Sequence, residues 1–410
     1  MRGHGEGSIY RRKDGRYEAL IRYKDGQGRS QRARGYGRTE KQARQELRRM
    51  LRRIEDGDAV RDSTVTVESW CERWIETTLR ASSRRLTTQQ TYATLLRSHV
   101  VPRLGHRKLR DLTTAHVEDL IVDLRMTKSA STVRQVHLVL VMVLDSAVTH
   151  DLLRRNVARG VQRPPRERAE ACYYSSQIVG NLRSAAHGHR LEPFLSLTAF
   201  TGLRKGEALA LRWDDIVLVG ETPHLRVTGT LARIGGALVR SDPKTASGRR
   251  IVPLVPPAVD ALREAHRQQS RDRLAAGPAW SDTDYVFTTE IGTPIDPRNA
   301  LRWFYTVRER VRIDLMLADP ECVHASTDVV SGWTCGTCRR SPADYLAGSL
   351  HTLRYSAASV LLAAGVPMPI VKDVLGHSSI AVTVDLYGHM APVLVAEAMN
   401  QGMIGYGIVS

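Results

Sequence analysis

The chain has 410 residues, long enough for two or three domains with cores of their own. Its 60 Lys and Arg against 43 Asp and Glu leave a formal charge of +17, which favours a polyanionic partner, and arginine supplies 52 of those cations. The lack of an uninterrupted apolar run of about 18 residues and of a signal-peptide pattern leads us to expect a soluble intracellular protein with no membrane partner, and five cysteines argue against a disulfide framework.

Residues 1–60 hold 17 Lys and Arg against 9 Asp and Glu, so the positive charge is concentrated at this end. Tyr17–Tyr23 alternates apolar and polar side chains between two Lys-Asp-Gly turns, and a third strand holds Arg29, Arg32 and Arg34. Thr39 with Gln42 reads as a capping box, opening a helix with the stripe Ala43, Leu47, Met50, Leu51 and Ile54. The expectation is a three-stranded sheet backed by one helix. Arg22 and the third-strand arginines favour DNA binding over a merely solvated basic surface. Gly57–Ser63 reads as a linker.

From Val65 to about Val161 the pattern is helical. Trp70, Trp74 and Leu79 mark one helix, read as core. Tyr92, Leu95, Leu96 and His99 mark a second, opened by a Thr87/Gln90 capping box and ended by Pro102 and Gly105; Val117–Leu124 and Val133–Ala147 give two more. Pro164-Pro165, flanked by Arg163, Arg166 and Arg168, reads as the next linker.

Beyond Ala171, Ser175 or Ser176 caps a helix, and Leu191–Phe200 is apolar nearly all round, hence buried. Arg204 follows Gly202 and opens a further helix, with Glu207 three residues on. Short strands are expected at 225–227, 238–239 and 251–254, with Asp242-Pro243-Lys244-Thr245 as a turn between them. His351 and Arg354 stand three apart and so project from one helix face, while Val360, Leu361 and Leu362 bury the body of that helix. Gly365 stops it. Ile370–Leu375 forms another turn ending at Gly376, His377 follows, and Tyr387 precedes Gly388. The tail after Ala391 carries Val393, Leu394, Val395, Ala398 and Met399, too apolar to hang free.

Thr201–Glu207, His351–Arg354, Leu375-Gly376-His377 and Tyr387, in that order, closely resemble the tyrosine recombinase family of phage-integrase type, and the resemblance covers nearly the whole chain. It implies a multidomain fold. A small β-sheet plus helix forms an arm-site DNA-binding domain at 1–60, an all-α core-binding domain follows at 63–162, and a mixed α/β, mainly α, catalytic domain occupies 170–410. The implied activity is site-specific recombination through a 3′-phosphotyrosine intermediate, integrating or excising a mobile element such as a phage. Double-stranded DNA with core-type and arm-type sites is the implied partner, bound by a homotetramer whose tails dock on neighbouring protomers. An excision or directionality factor and a host DNA-bending protein are the accessory partners, in a bacterial cytoplasm at the nucleoid.

The implied catalytic set is Arg204, Lys244, His351, Arg354, His377 and Tyr387, with Glu207 in support. These types suit the chemistry. Arg204, Arg354 and His377 supply donors for the charge that builds on the phosphate oxygens, His351 is the acceptor type for the phenolic proton, and Lys244 donates to the leaving 5′-oxygen. Lys205 is the competing lysine. Thr352 and Tyr355 depart from the family pattern. Tyr355 is a rival phenol, set aside because it is expected to point away from the face bearing His351 and Arg354. No G-x-x-x-x-G-K-[ST] loop is present and no cofactor is expected for catalysis.

An insert at about 317–349 departs from the family outline. Its Cys322, His324, Cys335 and Cys338 form a candidate structural zinc site, against a redox pair or unligated cysteines. Two other functions compete with recombination, a non-catalytic DNA-binding regulator and a DNA-relaxing enzyme of type IB topoisomerase kind.

Overall fold

The structure, a computed structural model, describes residues 7–24, 30–55, 64–165, 173–243, 246–319, 340–377 and 379–380. The chain divides into two compact units, Met1–Arg168 and Ala169–Ser410.

The alternation near the N-terminus folds as a meander: β1 (Ser8–Arg11), β2 (Tyr17–Lys24) and β3 (Ser30–Gly37) pair antiparallel in that order, with Ile21 opposite Ala33 and Arg22 opposite Arg32. A period of two sends Ala19, Ile21 and Ala33 to one face, where Met50 of α1 (Glu40–Glu55) packs on them, and leaves Arg22, Arg32 and Arg34 exposed. The capping box forms as expected, Thr39 Oγ1 accepting from the Gln42 amide at 3.2 Å and Gln42 Oε1 from the Thr39 amide at 3.3 Å. One carboxylate is sunk among these cations: Glu18, 3% exposed, accepts from Arg12 Nη1 at 2.9 Å and lies 3.6 Å from Arg34 Nε. Arg29 lies outside the described residues.

The rest of the first unit is a bundle of α2 (Val67–Trp74), α3 (Leu86–Leu95), α4 (Val101–Leu104), α5 (Thr114–Thr127) and α6 (Ala130–Thr149). Trp70 and Trp74 are core, as read, and the Trp70 indole N–H donates to the Val143 carbonyl at 3.0 Å. Two expectations are corrected. Arg85 rather than Thr87 precedes α3, because the amides of Thr88 and Gln89 already bond to the Arg85 carbonyl. Pro102 does not end that helix. The path passes through a π-helical turn at Leu96–Val100 into α4, where proline sits in the first turn and its missing N–H breaks nothing; Gly105 then closes it. By length and composition α6 is apolar enough to cross a bilayer, yet Val133, Val136, Leu140, Val143, Leu144 and Ala147 have no exposed surface, the pattern of a core helix. Burying each such valine or leucine contributes about 1.5–3 kcal/mol.

In the second unit, α7 (Ser176–Ala185) is capped by Ser175, and α8 (Glu192–Thr201) is the buried helix expected, packed between α10 (Pro256–Ala276) and the later α13 (Leu350–Ala363). The short α9 (Lys205–Ala208) precedes a sheet of β4 (Ile216–Val217), β5 (His224–Val227) and β8 (Arg250–Pro253), and β6 (Thr230–Ile234) pairs with β7 (Ala237–Ser241) as a separate hairpin. Of these strands β4 and β6 were not anticipated. The β7–β8 connection holds Lys244, which lies outside the described residues.

After α11 (Pro297–Leu317) comes the insert, whose Cys322, His324, Cys335 and Cys338 also lie outside the described residues. Its base is tied by side chains: the Asp319 carboxylate accepts from Arg340 at 2.9 Å and from the Tyr345 hydroxyl at 2.6 Å, and Arg312 and Arg308 donate to the carbonyls of Leu346 and Gly348. That stretch includes α12 (Pro342–Tyr345) and leads directly into α13, followed by α14 (Met368–Leu375). Val360, expected to be buried, is 59% exposed. Residues two apart on a helix point to opposite sides, and Leu362, with Ala358, takes the inner one.

Candidate active site

Two helices end in glycine where the site is built. Gly202 closes α8 in the left-handed region at φ +63°, and a Cβ there would meet Leu375 Cδ2 at 2.7 Å, so both conformation and space require glycine. Gly376 closes α14 at φ +67°, with Arg250 Nη1 and the Ser247 carbonyl each 2.8 Å from a would-be Cβ. The carbonyls of both glycines accept from arginines.

The last carbonyls of a helix lack intrahelical partners and carry the negative end of its dipole. At the end of α14 three successive carbonyls are taken by three arginines. Arg250 Nε donates to Val374 at 2.6 Å, Arg354 Nη2 to Leu375, and Arg204 Nη2 to Gly376 at 3.2 Å. Arg354 Nη1 also donates to the Gly202 carbonyl at 2.8 Å, so its guanidinium is pinned between two helix ends with 1% exposure. Glu207 joins the other two, accepting from Arg204 Nη1 at 2.7 Å and Arg250 Nη2 at 2.9 Å. Burial pushes the Glu207 pKa up, but Arg250 and then Arg204 outweigh it and hold the carboxyl below its usual range. The Arg250 and Glu207 side chains are each 6% exposed; removing one partner of such a pair costs about 3–5 kcal/mol.

Three guanidinium groups against one carboxylate leave the cluster net positive, and two imidazoles register it. His377, directly after Gly376, is buried, and loss of solvent followed by Arg354, Arg204 and Arg250 lowers its pKa to about 4. His351, in the first turn of α13, is lowered to about 4 by loss of solvent on its packed side and then by Arg354 and Arg204, against a smaller opposing pull from Glu207. The His351 residue keeps an exposed edge. Both rings are neutral at pH 7. The donors are fixed before any ligand arrives, which is the requirement for stabilising charge that develops on a phosphate.

Arg204, Glu207, Arg354 and His377 are thus brought together as expected, with His351 within reach of the same charges. Tyr355 departs from expectation: its ring meets His351 edge-on, centroids 5.0 Å apart, because residues four apart share a helix face more closely than residues three apart. Tyr387 lies outside the described residues, as does the tail after Ala391. Arg250 was not anticipated. The signal was present, since alternation from the buried Val252 puts residue 250 on the inner face of its strand, an unusual place for arginine. Beside the β7–β8 connection, Arg226, Thr228, Arg240, Asp242 and Arg249 line an open cavity of about 510 Å³ that Arg250 also borders.

Residues 175–392 match the phage integrase family, and residues 66–125 match the N-terminal SAM-like domain of phage integrases. The chain is 29% identical to an integrase of Streptomyces ambofaciens, over 86% of this chain and 84% of that one. It is 26% identical to a XerC-like tyrosine recombinase of Caldanaerobacter subterraneus subsp. tengcongensis, over 87% and 88%. Among solved structures, the Tn1549 transposon integrase in complex with a circular intermediate DNA superposes with a TM-score of 0.60 at 16% identity, over 82% of this chain and 99% of that one. A lambda integrase from a tetramer bound to a Holliday junction gives 0.52 at 17%, over 92% and 94%.

Proposed function

Because the chain belongs to the phage integrase family of tyrosine recombinases, it is a site-specific DNA recombinase of a mobile element, and we propose that the arginine cluster at the end of α14 is where it holds the scissile phosphate. The observation that carries this reading is the net positive, pre-bonded pair of Arg204 and Arg354, with His377 buried within reach of their charge. In the proposed step the Tyr387 oxygen attacks phosphorus, the bond to the 5′-oxygen breaks, the phenolic proton passes to His351, and Lys244 protonates the departing oxygen. His351 is a weak base while its pKa is about 4. The phosphate supplies the missing negative charge and raises that pKa as the substrate binds, so the base is switched on by its own substrate.

The exposed Arg22, Arg32 and Arg34 support an arm-site role for residues 1–60, and the bundle, which the SAM-like match overlaps, supports a core-binding role for 63–162, leaving 170–410 as catalytic. We also propose a homotetramer on DNA in the bacterial cytoplasm, tails exchanged between protomers, a directionality factor and a host DNA-bending protein as helpers, and a structural zinc on Cys322, His324, Cys335 and Cys338. The test of the chemistry is Tyr387→Phe on a nicked suicide duplex carrying the core site. Binding should persist and the denaturation-resistant adduct should vanish. An adduct in that variant would move the nucleophile elsewhere, Tyr355 first.

A further inference from the structure

Arg250 stands outside the catalytic set, yet its side chain bonds to three parts of the site's framework. Its side chain is 6% exposed. Nε donates to the Val374 carbonyl at 2.6 Å, Nη2 to Glu207 Oε2 at 2.9 Å and Nη1 to the Gly248 carbonyl at 3.3 Å. Those contacts lie on three separate pieces of chain. Val374 is on the last turn of α14, two residues before the carbonyl that holds Arg204 and three before His377. Glu207 is the carboxylate that orients Arg204. Gly248 belongs to the connection that carries Lys244, and Arg250 itself opens the strand leaving that connection.

We infer that Arg250 is a positioning residue: one guanidinium fixes Glu207 and the end of α14 against β8, and so sets Arg204 and His377 in a single register. This rests on the proposed catalytic reading and deepens it. A planar fork suits the task because its donors diverge in one plane toward three acceptors, whereas a lysine ammonium on a flexible stem serves one or two of them without fixing the others. A displacement of about 1 Å among catalytic groups is enough to slow chemistry by roughly a hundredfold. Substrate binding through other phosphates does not depend on this register.

The experiment uses the full-length chain and a nicked suicide duplex carrying its core site, with adduct formation followed in a single turnover at saturating protein, alongside the dissociation constant and the melting temperature. Arg250→Lys should lose about a hundredfold in rate with affinity within about threefold of wild type. Arg190→Lys is the control, an interior arginine bonded to Asp272 and the Thr288 carbonyl, whose variant should melt earlier without losing rate. Should Arg250→Lys not fold, the paired variant Glu207→Gln with Arg250→Met decides, since it removes both charges of the buried pair together, leaves the unpaired Arg204 open to solvent and should regain stability. Slow cleavage in a pair that melts like wild type supports the inference. A pair that regains both stability and rate overturns it, as does Arg250→Lys cleaving within threefold of wild type or losing rate only in step with melting. Absence of any adduct in wild type would instead strike the catalytic reading itself.

Discussion

Arginine plays opposite parts in the two units. In the C-terminal unit Arg354 is 1% exposed and the side chain of Arg250 6%, and each is held by carbonyls at helix ends. In the N-terminal sheet Arg22, Arg32 and Arg34 stand exposed on strands, with one sunken carboxylate, Glu18, among them. The same charge therefore does different work. Buried guanidinium groups cannot follow a ligand and must already be where it will sit, so they favour chemistry at one phosphate. Exposed ones exchange counterions for phosphates along a duplex and favour affinity that salt erodes.

The largest effect is expected at Arg354. Arg354→Lys removes the fork that joins Gly202 to Leu375, and single-turnover cleavage should fall by about 10²–10³-fold while binding changes little. A rate near wild type would mean that the buried guanidinium is packing only. Replacing Arg22, Arg32 and Arg34 together with glutamine should do the reverse. Cleavage of a duplex holding only the core site should be unchanged, and the slope of log affinity against log salt on the full site should shrink by about 2–3 units. An unchanged slope would remove the sheet from the DNA contact. The smallest effect is expected at the insert. Chelation should lower the melting temperature by a few degrees before it touches cleavage, because Asp319, Arg340 and Tyr345 already tie the base of the insert without a metal. Less than about half an equivalent of zinc in protein purified without chelator would sink the metal.

Much of the architecture was legible because side-chain period encodes it. Alternation gave the meander, the stripe from Val133 to Ala147 gave the longest bundle helix, and an apolar run gave α8. The motif residues were legible for the same reason, since a preceding glycine places Arg204 and His377 just beyond helix ends and a spacing of three places His351 and Arg354 early in one helix. What escaped was encoded in backbone groups. Nothing in the letters Val374, Leu375 and Gly376 announces that their carbonyls gather three arginines, so Arg250 went unnoticed among the chain's 52 arginines. Pro102 misled because a π turn absorbed it, and Tyr355 because the i,i+4 neighbour of His351 was overlooked in favour of the i,i+3 one.

In the proposed reading the cluster is a cationic cage fixed in advance of its phosphate, and the imidazoles inside it report that charge. Their folded pKa values lie below the ordinary value of about 6.5, so the unfolded chain takes up protons first and stability should erode as pH falls from there toward 4. The direct measurement is an NMR titration of His351 and His377, free and bound to a core-site duplex, with a second duplex bearing a neutral methylphosphonate at the scissile position. Midpoints near 4 are expected in the free protein, with a clear rise on the natural duplex and a much smaller one on the neutral analogue. Midpoints near 6.5 in the free protein that do not respond to either duplex would contradict that reading.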